Sequence, residues 1–205
     1  MKGLAAVLAM LGCVLGLAGF AAGVGAADDA QKTLKQGFSA DIVSRIGIKD
    51  QAGTELHGKL YVTPDRWREE ETVDVNGKPA TITTILRADR HVQWMLMPEP
   101  RQYAERPLEP ADEKPIADLC EGWVTLTPVG TEAVNGQPAD KYDHSNAQCA
   151  TAYTYVSSSS HLPLKTEATC ADTYAVTEYQ HVQAGAPPAE LFELPAGYQK
   201  FTLPR

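Results

Sequence analysis

The sequence lacks most of the short patterns that mark chemistry. It has no G-x-x-x-x-G-K-[ST] or G-x-G-x-x-G phosphate loop and no G-x-S-x-G nucleophile elbow. Neither C-x-x-C nor H-x-x-x-H occurs, so the usual ligand spacing of a zinc site is missing. Asp143, His144 and Cys149 stand loosely near one another without that spacing, and no metal or cofactor is expected. The five histidines are scattered, and His57 and His91 read as half-exposed strand residues. Positive charge is also short. With 18 Lys and Arg against 26 Asp and Glu, the formal net charge is −8, which disfavours nucleic acid and anionic membrane surfaces as partners. Strand–helix alternation is absent, which argues against a nucleotide-binding α/β fold.

Long apolar runs are confined to the first 27 residues. Lys2 is followed by GLAAVLAMLGCVLGLAGF and then by AAGVGAADD, where Val24-Gly25-Ala26 has the small residues of a signal-peptidase site. Residues 1–26 read as a secretory signal peptide, cut near Ala26 or Ala27. A lipoprotein reading needs Cys13 as the lipidated residue, but Met10-Leu11-Gly12 is only a partial lipobox and another apolar stretch follows. Loss of Lys2 leaves a mature net charge of −9. The expectation is a periplasmic protein with one domain over 27–205 and no integral membrane segment after cleavage.

Export makes a disulfide favourable, and Cys120, Cys149 and Cys170 remain to form it. TAYTYVS (151–157) and LKTEATC (164–170) have strand character around SSSHLP. A hairpin centred between Ser159 and Ser160 would oppose residues whose numbers sum to 319, which places Cys149 opposite Cys170. Cys149–Cys170 is the expected pair, and Cys120–Cys149 is its rival.

What is present is mostly alternation. FSADIVSRIGI (38–48) puts Phe38, Ala40, Ile42, Ile46 and Ile48 on one face and Ser39, Asp41 and Arg45 on the other. ELHGKLYV (55–62) and RWREEETVDV (66–75) alternate in the same way, with Trp67 and Val73 opposed to Arg68 and Glu70. Asn76-Gly77 and Asn135-Gly136 are hairpin signals. ATITTILR (80–87) and HVQWMLM (91–97) form a further pair, separated by Ala88-Asp89-Arg90. Further strands are expected near 101–106, in WVTLTPVG (123–130), PADKYDH (138–144) and YAVTEYQHV (174–182). Helix is limited to 28–36 and one turn inside the proline-broken segment 106–122. About ten strands therefore form a single antiparallel sheet, open or nearly closed. So little helix roofs its apolar face thinly, and a thinly roofed hollow either suits a hydrophobic ligand or is filled by the protein's own side chains.

Several segments resemble the LolA/LolB lipoprotein-carrier superfamily. FSADIVSRIGIKDQAGTELHGKLYVTPDRWREE is similar to its opening strands, and ILRADRHVQWMLMPEPRQYAE to the following turn and Trp strand. VGTEAVNGQPADKYD, SSSHLPLKTE and LFELPAGYQKF resemble its later hairpins and its ending. The order of these segments spans nearly the whole mature chain. The resemblance implies a strongly curved antiparallel half-barrel of about 10–11 strands, mainly β, with a small helical or loop lid. It also implies a carrier that binds acyl chains of lipids or lipoproteins in an apolar concave cavity. One departure is visible: the lipoprotein chaperones carry an Arg before the Pro that follows the second strand, and here Thr63 precedes Pro64.

The expected lining is Ile46, Leu60, Trp67, Leu86, Trp94, Leu96 and Leu126, taken from the apolar faces of successive strands. Alternation alone does not distinguish the concave from the convex face. The alternative function is an envelope sensor or interaction module that docks a protein partner through a sheet edge or the 106–122 loop. No enzyme is expected. A polar turn accounts for Ser157–Ser160 and His161, and the run Glu69, Glu70, Glu71 is read as no paired acid–base site because consecutive strand residues point to opposite faces.

Overall fold

A computed structural model describes residues 36–75, 77–108 and 127–201. The signal segment, Cys13, Cys120, Leu126, the 28–35 part of the expected first helix and the 109–122 part of the expected lid lie outside the described residues. Among the described residues no helix is long and apolar enough to cross a membrane.

The alternating segments form β1 (Phe38–Ile48), β2 (Thr54–Thr63), β3 (Arg66–Val75), β4 (Lys78–Arg87), β5 (Val92–Met97), β6 (Gln102–Pro107), β7 (Gly130–Val134), β8 (Gln137–Asp143), β9 (Cys149–Ser157), β10 (Pro163–Cys170), β11 (Thr173–Ala184) and β12 (Gln199–Lys200). They make one sheet in the order β12-β6-β5-β4-β3-β2-β1-β11-β10-β9-β8-β7. Every pairing is antiparallel except β12 with β6. Two meanders thus meet where β1 pairs with β11, and the sheet does not close, because β12 and β7 are its edges. Of the expected strand 123–130, residues 127–130 are described, and among these Gly130 is the one in the sheet. Arg106 and Pro107, expected at the head of the lid, instead finish β6.

Turn chemistry sets the hairpins. Asn135 (φ 50°) and Gly136 (φ 77°) take the left-handed pair that a two-residue turn of matching twist requires, and Val134 then pairs with Gln137. At Gly58 the backbone of β3 approaches so closely that a Cβ would lie 1.9 Å from the Glu70 carbonyl oxygen, so the strand needs a residue without one.

The Cys149–Cys170 disulfide is present, with Cα atoms 3.9 Å apart. Facing residues sum to 319 at Cys149–Cys170 and at Val156–Pro163, as expected, but the middle of the hairpin is displaced by one, with Tyr155 opposite Lys165. Register shifts beside Leu164 and Ala150 cancel each other, which is how the cysteines still meet.

Packing distinguishes the two faces. On one, Phe38, Ile42, Leu60, Trp67, Leu86 and Val156 belong to a single buried cluster that also takes in Tyr179 and Leu162. Its members come from strands as distant as β4 and β9, six positions apart, or roughly 29 Å across a flat sheet. The other face is split into two separate clusters at opposite ends: Ile85, Trp94, Leu96 and Phe192, and Val134, Ala139, Tyr155 and Leu164. One gathered face and one divided face are what a sheet bent toward the first produces. The first is therefore the concave face.

Candidate functional site

Register places the expected lining residues. Leu60 and Trp67 are buried on the concave face, and Leu86 lies directly opposite Trp67. Ile46 shares that face through its alternation with Phe38, Ala40 and Ile42, and is half-buried. Trp94 and Leu96 do not join them. Arg87 pairs with Val92, so the β4–β5 turn holds four residues, Ala88 to His91, rather than three. His91 adopts the left-handed conformation (φ 52°) that closes this longer turn. The added residue displaces the register, and a one-residue displacement turns every side chain of β5 to the opposite face. Trp94 consequently faces Ile85, Leu96 faces Thr83, and both lie on the convex side.

There they are covered by the chain's own C-terminal segment. Phe192, fully buried at the end of a 3-10 turn (Ala189–Phe192), packs with Ile85, Trp94 and Leu96, and Leu191, Leu194 and Tyr198 add to it. The Trp94 indole N–H donates to Glu105 Oε2 at 3.0 Å. Arg87, 2% exposed, donates to Asp89 through Nε (2.7 Å) and Nη2 (2.6 Å) and to Phe192 O and Glu193 Oε1 through Nη1. The Asp89 and Glu193 carboxylates hold the Arg87 guanidinium still more firmly protonated, and Arg87 in turn keeps Asp89 below the usual range. Arg68 Nη1 donates to Leu191 O at 2.8 Å. This strap covers the convex apolar surface of β4–β6.

The concave face is graded from one end of the strands to the other. Phe38, Val62, Trp67 and Leu86 form an apolar row across β1–β4. Further along, Ser44, Thr177, Thr166 and Thr154 stand opposite one another across β1, β11, β10 and β9. The Ser44 and Thr177 hydroxyls are 3.1 Å apart, and the Thr166 hydroxyl is 3.3 Å from that of Tyr179. Burial pushes the Tyr179 phenol up to about 12.

Between these rows stand two carboxylates that periodicity places together and that the reading of consecutive glutamates overlooked. Glu69 lies opposite Leu60 and Thr84; Glu71 lies opposite Gly58 and Ile82. Glu70 alone points outward, where Arg68 Nε donates to it at 2.7 Å. The run is therefore a same-face pair two residues apart, and the expectation of no pairing is corrected. Burial, with repulsion from Glu71, raises Glu69 to about 8, although its hydrogen bond with Trp67 favours the charged form. Burial raises Glu71 to about 7. Glu71 is 4% exposed. Among the described residues neither carboxylate is paired with a Lys, Arg or His.

Thr63, which precedes Pro64, donates its hydroxyl to Asp65 Oδ1 at 2.9 Å and so ties down the corner between β2 and β3. Beside it Pro64, Arg66, Pro187 and Phe192 line a cleft of about 470 Å³ at the end of the sheet, separate from the concave face.

No family model and no curated protein matches this sequence. Solved structures do match. An uncharacterized conserved protein from Thermus thermophilus aligns with a TM-score of 0.58 at 15% identity, over 85% of this chain and 94% of that one. A LolA superfamily protein from Nitrosomonas europaea aligns with a TM-score of 0.42 at 11% identity, over 83% and 98%. A chain of the Pseudomonas aeruginosa MucA/MucB complex aligns with a TM-score of 0.47 at 16% identity, over 85% and 61%. At these identities the likeness is one of fold alone. That fold is a curved, mostly antiparallel sheet that stays open.

Proposed function

We propose that this is an exported, periplasmic binding protein that takes the hydrocarbon chain of a lipid or lipoprotein on its concave face and carries it in soluble form. The observation that carries the reading is the asymmetry of the two faces. One convex cluster is covered by the chain's own C-terminal segment and the other stands apart from it, whereas the concave face carries a single apolar cluster that runs from β4 to β9 inside the bend of the sheet. The driving force is removal of apolar area from water, at about 25 cal/mol per Å². Leu60, Trp67 and Leu86 are the lining residues, with Ile46 toward the far end of the strands. The disulfide supports an oxidising compartment.

Native mass spectrometry of protein purified from an envelope fraction tests this directly. Co-purifying lipid that organic extraction removes is the expected result. A lipid-free protein that retains a stoichiometric protein partner would favour the interaction-module reading instead.

A further inference from the structure

We propose that Asn135 is a site of spontaneous modification: the Asn135-Gly136 turn deamidates, and the product releases the tip of the β7–β8 hairpin from the convex face of the sheet. The concave face takes no part, so the proposal is independent of the hydrocarbon-binding reading.

The two Asn-Gly turns have nearly the same sequence, Val-Asn-Gly-Lys-Pro-Ala at 75–80 and Val-Asn-Gly-Gln-Pro-Ala at 134–139, so local chemistry alone treats them alike. The fold gives the second a further duty. Asn135 is exposed, and its Nδ2 donates to Glu178 Oε2 at 3.1 Å. Glu178 belongs to β11, and β10 and β9 lie between β11 and β8 in the sheet. Three strand spacings are about 14 Å across a flat sheet, so the tip leans over β9 and β10 to make this contact. Val134, the residue before the turn, is accordingly buried with Ala139 of β8, Tyr155 of β9 and Leu164 of β10. The Asn135 amide is thus a polar latch over an apolar cluster. At the other turn Gly77 N–H donates to Asp74 Oδ1 at 2.7 Å, a contact within its own hairpin.

Glycine after asparagine leaves the attacking nitrogen unhindered, and Gly136 is surrounded by open space: a Cβ there would meet nothing within 4 Å. The Gly136 amide gives its proton to hydroxide, and its nitrogen attacks the Asn135 side-chain carbonyl carbon. A new N–C bond closes a succinimide ring, the Cγ–Nδ2 bond breaks, and the side-chain nitrogen leaves as ammonia with a proton from water. Water then opens the ring at either carbonyl and leaves aspartate or isoaspartate. The net change is asparagine and water to acid and ammonia, with no oxidant or reductant. Either product replaces the donor with a carboxylate facing Glu178, and like charges at that range repel. Isoaspartate also adds a carbon to the backbone of a two-residue turn whose twist is matched to its strands. Release of the tip uncovers Val134, Tyr155 and Leu164.

The test ages the full chain near pH 8, separates the converted form by charge and maps it by peptide mass spectrometry. The expected result is conversion at Asn135, read as a gain of about one dalton in its peptide. Amides of 131–137 should exchange about tenfold or more faster in the converted form than in fresh protein, while those of β2 and β3 keep their rates. Asn135→Asp, made directly, should reproduce the faster exchange. Adding Glu178→Gln to it should restore slow exchange, because the glutamine amide then donates to the new carboxylate. An Asn135 peptide that stays unchanged while it converts in a urea-unfolded control overturns the proposal. So does converted protein whose 131–137 amides exchange at the fresh rate, a comparison that needs no variant to fold. A double variant that exchanges as fast as Asn135→Asp alone overturns the latch with Glu178.

Discussion

Trp67 and Trp94 have equal standing in the sequence, yet the structure gives them opposite duties. Both sit at apolar positions of alternating strands. What separates them is one residue, His91, which joins the β4–β5 turn in a left-handed conformation and turns β5 over. A three-residue turn would have aligned Trp94 with Trp67, because Arg87 would then face His91. The choice between the two is not written in hydrophobic period. It depends on whether a histidine with no special turn propensity adopts a positive φ, and tertiary packing of Phe192 on Trp94 rewards that choice. The glutamates show the reverse case. Their period of two was legible, and only attention to consecutive residues concealed that Glu69 and Glu71 share a face.

The same two residues govern pH behaviour near neutrality. Both are raised in the folded state, to about 8 and about 7, from the ordinary value of 4.5. Between pH 4.5 and 8 the folded protein thus binds more protons than the unfolded chain, and stability falls as pH rises through that window. The melting temperature should be higher near pH 5 than near pH 8, and E69Q/E71Q should flatten the slope. A double variant with the wild-type slope would assign the dependence to other groups. Below about pH 4 the trend reverses. Asp89 and Asp41 are held low by Arg87 and by His181 and Lys59 respectively, and the stability they contribute is lost as they protonate.

At the scale of elements, two ties hold the periphery of the sheet. The first is the disulfide between β9 and β10, which closes a separation of 21 residues. Replacing both cysteines with serine should cost about 3 kcal/mol, measurable as a lower urea midpoint with an unchanged slope. The hairpin carrying it was readable from two strand-like segments around a serine turn, whereas the two compensating bulges were not, since neither has a local sequence signal. The second tie is the C-terminal strap. Arg87 joins it to β4 through Phe192 O and Glu193 and is itself buried. Arg87→Ala removes this tie while Asp89 and Glu193 keep Arg66 and Arg90, and should destabilise by about 1–3 kcal/mol. Hydrogen exchange should accelerate first in 186–201 and β12; uniform acceleration across the sheet would contradict the strap's separate role. The parallel pairing of β12 with β6 escaped the sequence because its two residues, Gln199 and Lys200, have no strand period to read.

The molecule as a whole divides its apolar surface between a face it covers itself and a face inside its bend. Antiparallel architecture, hairpin order and disulfide followed from alternation, Asn-Gly turns and cysteine register, whereas alternation left the sheet open or nearly closed. The assignment of faces required the contacts: a single cluster reaching from β4 to β9 identifies the inside, and two separated clusters identify the outside. The proposed function rests on that division, with the continuous concave cluster as the surface a hydrocarbon chain would share.

Equilibrium binding of a fluorescent fatty-acid probe to Trp67→Ala and Trp94→Ala, scored per folded molecule, separates the two faces. Trp67→Ala should weaken binding by about tenfold or more, since aromatic contact area is large. Trp94→Ala should lose about 3–5 kcal/mol of stability yet bind with wild-type affinity. Unchanged affinity in folded Trp67→Ala, or a loss confined to Trp94→Ala, would place the ligand on the wrong face for this account.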